Sequence, residues 1–166
     1  MNFRKALFCL AILSAVCTAF SFFAQYKMGM NPCVLCISQR VLIIVIGLVA
    51  LISALCPNRS LVERSIYSVI GILIALGGLC IAFYQIYIQY LPEWKQPTCG
   101  APWSFRLRNA PLFDWFEPLI RGTGNCGEVQ RLIGIPLPVW GALFFSITII
   151  WISFWWWRTR STKGNK

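Results

Sequence analysis

The sequence predicts an all-α membrane protein: a four-transmembrane-helix bundle with a short CxxC outer loop and a long outer loop carrying a short interfacial helix. Three observations predict it. Of the 166 residues, 58% are hydrophobic and only 12% charged, about half the charged share of an ordinary soluble domain. A water-soluble chain of this size cannot bury that much apolar surface, so the surplus must face lipid. Four apolar runs are each long enough to cross about 30 Å of hydrocarbon, which takes roughly 20 helical residues. The charges fall between those runs. The net charge of +10 would suit nucleic acid, but no basic stripe interleaved with aromatics appears, and that class is excluded.

The first span runs from about Ala6 to Ala24. Arg4 and Lys5 before it resemble the start of a signal peptide, but the run is long and no convincing small-x-small cleavage site follows. The expectation is an uncleaved span. The second runs from about Cys36 to Leu55, with Arg40 near its outer end, the third from Ser65 to Tyr87, and the fourth from Pro138 to Trp157. In lipid only a helix satisfies its own backbone hydrogen bonds within a single segment. The spans and two outer loops, about 25–35 and 91–132, form one domain over 1–166.

Four spans place both termini on one side. Arg4, Lys5, Arg59, Arg64, Arg158, Arg160, Lys163 and Lys166 lie on that side, opposed only by Glu63. The other side holds Lys27, Lys95, Arg106, Arg108, Arg121 and Arg131, with Glu93, Asp114, Glu117 and Glu128. Counting Lys and Arg alone, as the positive-inside rule requires, the contrast is modest. The basic tail behind the aromatic belt of Trp155, Trp156 and Trp157 still favours cytoplasmic termini.

Eight cysteines are present and no histidine. Cys9, Cys17 and Cys80 fall inside apolar spans and Cys56 at the inner end of the second; buried cysteine behaves as a small hydrophobe, and packing is the expectation for these four. Cys33, Cys36, Cys99 and Cys126 lie at or in the outer loops. An oxidising compartment would make disulfides there. Two structural bridges, a four-cysteine zinc site or a redox relay would use the same residues. Zinc is disfavoured because Cys99 and Cys126 lack the second close pair of a zinc ribbon, so no metal is expected.

The position of the first pair points to redox work. Asn31 can cap the second helix and Pro32 suits its first position, where a missing N–H costs nothing. Cys33 and Cys36 then occupy the opening turns, where unpaired N–H groups and the helix dipole stabilise a thiolate. At about 100° per residue, positions 33, 36 and 40 share a face. A guanidinium at the depth of Arg40 is costly unless it snorkels or meets a partner such as a thiolate or a ligand carbonyl.

The long outer loop is rich in Pro and Gly. Within it Leu112, Phe113, Trp115, Phe116, Leu119 and Ile120 recur at helical spacing around Asp114 and Glu117. That pattern predicts a short helix lying flat in the interface, with Pro118 placed to interrupt it. It would keep Cys99 and Cys126 near Cys33 and Cys36.

Pro32-Cys33-Val34-Leu35-Cys36 followed by Arg40 resembles the signature of the DsbB family, the bacterial inner-membrane proteins that generate disulfides. The resemblance covers nearly the whole chain: four spans, a CxxC in the first outer loop and a separated cysteine pair in the second. It implies that a reduced, DsbA-like periplasmic thiol oxidase attacks Cys99, that Cys126 is the disulfide partner of Cys99 and exchanges with Cys33, and that Cys36 faces a quinone as a thiolate in a charge-transfer adduct, with Arg40 beside it. Electrons leave as quinol, of ubiquinone or menaquinone, to the membrane quinone pool. Where the family's best-known member has a histidine near the quinone, this chain places Gln85, so an imidazole is not obligatory here.

The resemblance is energetically coherent. A structural disulfide near about −300 mV would oxidise DsbA, near about −120 mV, only uphill by roughly 8 kcal/mol. A pair doing that work must be coupled to a strong oxidising sink. The rival from another class is a non-enzymatic four-span scaffold whose outer cysteines stay bridged. A tetraspanin-like identity is disfavoured by the absence of an adjacent Cys-Cys in the long loop, and a vitamin K epoxide reductase type by a different loop order.

Overall fold

The computed structural model describes residues 3–55, 60–97 and 99–161. Cys56, Arg59, Lys163 and Lys166 lie outside the described residues. Four long helices, α1 (Phe3–Tyr26), α2 (Val34–Leu55), α3 (Leu61–Tyr90) and α6 (Leu137–Ser161), carry the predicted spans. Between α3 and α6 lie a single 3-10 turn at Glu93–Lys95, two short helices, α4 (Trp103–Arg106) and α5 (Phe113–Ile120), and a small hairpin of β1 (Arg131–Leu132) and β2 (Ile135–Pro136). The expectation of an all-α membrane bundle holds for the membrane body.

The helix ends follow from local chemistry. Ser60 precedes α3 in extended conformation, and its hydroxyl accepts from the Glu63 N–H at 3.2 Å. That satisfies one of the four N–H groups orphaned at a helix start, with an acid in the first turn facing the positive end of the dipole. At the other end Leu91 is held extended by the following Pro92, because a proline ring disfavours helical conformation in the residue before it. The 30 residues of α3 span roughly 45 Å at about 1.5 Å per residue, more than the hydrocarbon thickness. Its last turn reaches the long loop, where Gln89 Nε2 donates to the Glu128 carbonyl at 3.4 Å.

The helices stand in a row that folds back on itself: α1 against α2, α2 against α3, and α3 against α6, with α1 and α6 touching little. Trp151 Nε1 donates to the Ala6 carbonyl at 3.1 Å across that last seam. The core is a belt of Leu10, Ile46, Ala50, Ala75, Phe144, Phe145 and Ile152. Small residues allow it to close, as expected where lipid provides no hydrophobic drive and packing must hold helices together. Phe145 is fully buried against the bare backbone of Gly78, where a Cβ would collide with its ring. The outward residues are apolar all round, including Val16, Leu73, Phe83 and Ile150, each more than half exposed. That is the surface of a bundle solvated by hydrocarbon.

Two local features depart from expectation. The loop before α6 forms a hairpin whose two turn residues, Ile133 and Gly134, both have positive φ (54° and 79°), the conformation that matches the twist of the flanking strands. The second concerns Pro118: α5 continues through it. Only the N–H that would have met the Asp114 carbonyl is lost. The freed end of α5 is held from outside, as described next.

Candidate active site

α2 begins two residues later than the sequence suggests. Its first helical residue is Val34, and Cys33 itself is the capping residue. The Cys33 carbonyl accepts from the Ile37 N–H at 3.0 Å, and its sulfur from the Cys36 N–H at 3.4 Å. Sulfur thus takes the role foreseen for the Asn31 side chain, and Pro32 lies outside the helix. Asn31 has other work: its amide donates to the Thr123 hydroxyl and its carbonyl oxygen accepts from the Thr123 N–H, both at 3.0 Å. The Asn31 backbone carbonyl accepts from Gln130 Nε2 at 2.9 Å. A side chain that can cap a helix can equally bind a loop, and the long loop supplies the better-placed partners.

Those bonds lay the long loop across the mouth of α2. The Gly124 N–H donates to the Pro32 carbonyl at 3.3 Å, and Gly124 pairs with Cys33 in a parallel bridge. Approach this close demands glycine: a Cβ at Gly122 or Gly124 would collide with the carbonyl oxygens of Pro32 and Asn31. Trp103 of α4 donates from Nε1 to the Val34 carbonyl at 3.2 Å. Cys126, two residues beyond Gly124, is joined to Cys99 in a disulfide and is fully buried, whereas Cys99 is half-buried.

The Cys33 and Cys36 sulfurs are 3.1 Å apart and unbonded. Cys33 is buried and Cys36 partly so. The Cys36 sulfur beside it, with burial adding to the effect, pushes the Cys33 thiol up from its ordinary value. From α3, Gln85 brings its amide nitrogen to both sulfurs, 3.0 Å from Cys36 and 3.4 Å from Cys33. Gln39 of α2 donates in turn to the Gln85 carbonyl oxygen at 2.8 Å. Both glutamines are buried. Sequence reasoning gave Gln85 no more than the place of an absent imidazole and did not single out Gln39. A polar residue between apolar neighbours in a span is the signal that could have found it.

Arg40 is buried, and among the described residues no acid pairs with it. Its Nε donates to the Ser21 hydroxyl at 2.9 Å, and its Nη1 to the Gln25 side-chain oxygen at 2.6 Å and the Leu119 carbonyl at 3.5 Å. Its guanidinium carbon lies 4.6 Å from the centroid of the Phe22 ring. The Tyr26 hydroxyl donates to the Pro118 carbonyl and Gln25 Nε2 to the Arg121 carbonyl, both at 3.0 Å. The last turn of α1, with Arg40, therefore satisfies carbonyls at the negative end of α5. This is the external hold that lets α5 tolerate Pro118.

The predicted site residues are thus brought to one end of the bundle: Cys33 and Cys36 at the α2 mouth, Arg40 one turn deeper, and the Cys99–Cys126 disulfide in the loop strapped over them. Among the described residues no group of three or more His, Cys, Asp or Glu side chains is placed to hold a metal. Electrostatically the arrangement is one-sided: N–H donors and a cation surround the sulfurs, which suits thiolate chemistry.

Comparison with known proteins agrees with this architecture. Residues 3–155 match the family described as Disulfide bond formation protein DsbB. A Disulfide bond formation protein B of Neisseria gonorrhoeae is 43% identical over 161 residues, covering 97% of this chain and 98% of that protein. Proteins of the same name from Methylococcus capsulatus and Chromobacterium violaceum are 36% and 33% identical, over 84% and 89% of this chain and 82% and 89% of their own lengths.

Proposed function

The chain belongs to the DsbB family of disulfide bond formation proteins, multi-pass membrane oxidoreductases, and from that premise we propose that it reoxidises a DsbA-like periplasmic thiol oxidase and delivers the electrons to a membrane quinone. Both termini are then cytoplasmic, in a bacterial inner membrane, and the cysteine loops periplasmic.

The observation that carries this reading is the pairing of Gly124 with Cys33, since the buried Cys126 follows two residues later in the same loop while Cys99 is half-buried. A partner thiolate attacks the Cys99 sulfur; the Cys99–Cys126 bond breaks, a mixed disulfide forms, and Cys126 leaves as thiolate. The second thiol of the partner resolves the mixed disulfide, releasing the partner oxidised. Cys126 attacks Cys33 of a Cys33–Cys36 disulfide and Cys36 departs as thiolate. Cys99 then closes on Cys126, leaving two electrons on the Cys33–Cys36 pair. Each exchange is favoured by a good leaving thiolate.

The residues present fit a quinone. Arg40 Nη2 has no acceptor among the described residues and is not one of the fully buried unpaired atoms, so this donor is free and within reach of a ligand carbonyl. Cys36 and Arg40 would hold the group, which when bound accepts the two electrons and two protons of the pair. Arg40 orients it, and the strapped loop with the outer ends of α1–α3 keeps water from the sulfurs.

The test is a trap. With Cys126→Ser, a reduced DsbA-like protein should accumulate as a mixed disulfide on Cys99, resolved on a non-reducing gel after acid quench and alkylation. A failure to trap it while Cys99 is intact would overturn the assignment of Cys99 as the partner-facing sulfur.

A further inference from the structure

Two buried glutamines on different helices face each other beneath the CxxC. An amide has one donor end and one acceptor end of nearly the same shape, so either end can face a given neighbour. At the cysteine pair the choice matters. When Cys126 attacks Cys33, the Cys33–Cys36 bond breaks and the electron pair moves to the Cys36 sulfur. An N–H facing that sulfur stabilises the charge as it develops, whereas a carbonyl oxygen opposes it.

We propose that Gln85 is a catalytic residue whose amide N–H₂ receives the negative charge of the departing Cys36 sulfur, and that Gln39 is the positioning residue that keeps that end of the amide facing the sulfurs. The Gln39 amide nitrogen lies 2.8 Å from the Gln85 carbonyl oxygen, which directs the Gln85 nitrogen to Cys36 at 3.0 Å and Cys33 at 3.4 Å. One N–H₂ group has two hydrogens, one for each sulfur of the exchanging pair. Gln39 is itself seated against bare backbone: a Cβ at Gly141 of α6 would collide with its side-chain oxygen. The relay thus runs from α6 through α2 and α3 to sulfur, with both amides buried and pre-set before any charge appears.

The proposal rests on the exchange sequence given above, and its test reads the sulfur directly. The purified full-length protein is reduced, freed of reductant and treated with iodoacetamide at fixed pH. Labelling of Cys36 is followed by peptide mass spectrometry and expressed relative to Cys80, the lipid-facing thiol of α3, in the same sample. Gln39→Glu has the same shape but, when ionised, no donor, so the Gln85 amide turns its nitrogen to the carboxylate and its oxygen to the sulfurs. Labelling of Cys36 should fall about tenfold, the worth of one hydrogen bond to a charged group. Gln39→Leu introduces no charge, covers the case in which the buried carboxylate prevents folding, and should give a fall of the same sign. Gln85→Leu removes the amide and gives the level for a sulfur with neither donor nor oxygen beside it. A Cys36-to-Cys80 ratio unchanged in Gln39→Leu, or in folded Gln39→Glu, would overturn the positioning role. Quinone reduction by the wild-type protein with a reduced DsbA-like partner is measured alongside. No turnover there refutes the functional reading, whereas normal turnover with an unchanged ratio in the Gln39 variants overturns this inference alone.

Discussion

Gly124→Ala isolates the contact on which communication between the two cysteine pairs depends. The new Cβ would collide with the backbone carbonyl of Asn31 and lie 3.2 Å from that of Pro32. Neither obstacle is the end of a flexible side chain, so the loop must lift. Forced overpacking of this kind costs about 1–3 kcal/mol, and with tenfold per about 1.4 kcal/mol the seated arrangement becomes roughly 5- to 150-fold less populated. The Asn31–Thr123 and Gln130–Asn31 bonds span the same seam and should weaken with it. Cys99 and Cys126 remain bridged, so the partner should still attack Cys99 at the wild-type rate. Transfer onward to Cys33 should slow by that factor. Rapid mixing with reduced partner, acid quench and alkylation separates the two phases: mixed disulfide on Cys99 should form normally and persist, while reduction of the Cys33–Cys36 bond lags. Gly77→Ala is the control, since nothing lies within 4 Å of a Cβ there and alanine is the better helix former. Wild-type transfer to Cys33 in Gly124→Ala would refute the reasoning that the Gly124–Cys33 pairing aligns the relay.

Other outcomes follow from the same geometry. Arg40→Lys keeps the charge but loses the planar fork whose Nε and Nη1 reach Ser21, Gln25 and Leu119; the amide hydrogens of residues 119–121 should then exchange faster by mass spectrometry, and quinone affinity should fall. Gly78→Ala drives a methyl into the buried Phe145 ring and should destabilise the bundle by about 1–3 kcal/mol, read as a lower Tm in detergent, with the cysteine exchange steps at the outer end little changed. Replacing Cys9, Cys17 and Cys80 together by Ala should leave partner oxidation intact, because they lie along the spans away from the site; loss of turnover would abolish the division of the cysteines into two populations. Cys33, whose thiol is raised by Cys36 and by burial, binds its proton more tightly folded than unfolded. The reduced protein should therefore lose stability as pH rises through and above the ordinary thiol range near about 8.5, and a Cys33→Ala chain should lose less, measured by thermal melts across pH.

The membrane body is legible in the chain alone, because span length and apolar composition are set by the thickness of hydrocarbon and need no partner to be read. The sequence also placed Cys33, Cys36 and Arg40 near one another, since residues three and four apart on one helix are neighbours whatever surrounds the helix. What the tertiary structure decided are the contacts between segments far apart in the chain. Asn31 can cap a helix or bind a loop, and only the docking of residues 123–130 across α2 selects the loop. Arg40 was expected to look for a thiolate or a ligand; the register of α1 and the C-terminal end of α5 instead give its Nε and Nη1 to Ser21, Gln25 and Leu119. The Gln39–Gln85–sulfur chain depends on how far α3 slides along α2, since one turn of slippage, about 5.4 Å, separates those amides. Hydrophobic periodicity specifies which face a helix buries but not its axial position. That position is set by the close approaches at Gly47, Gly78 and Gly141, visible only once the helices are packed.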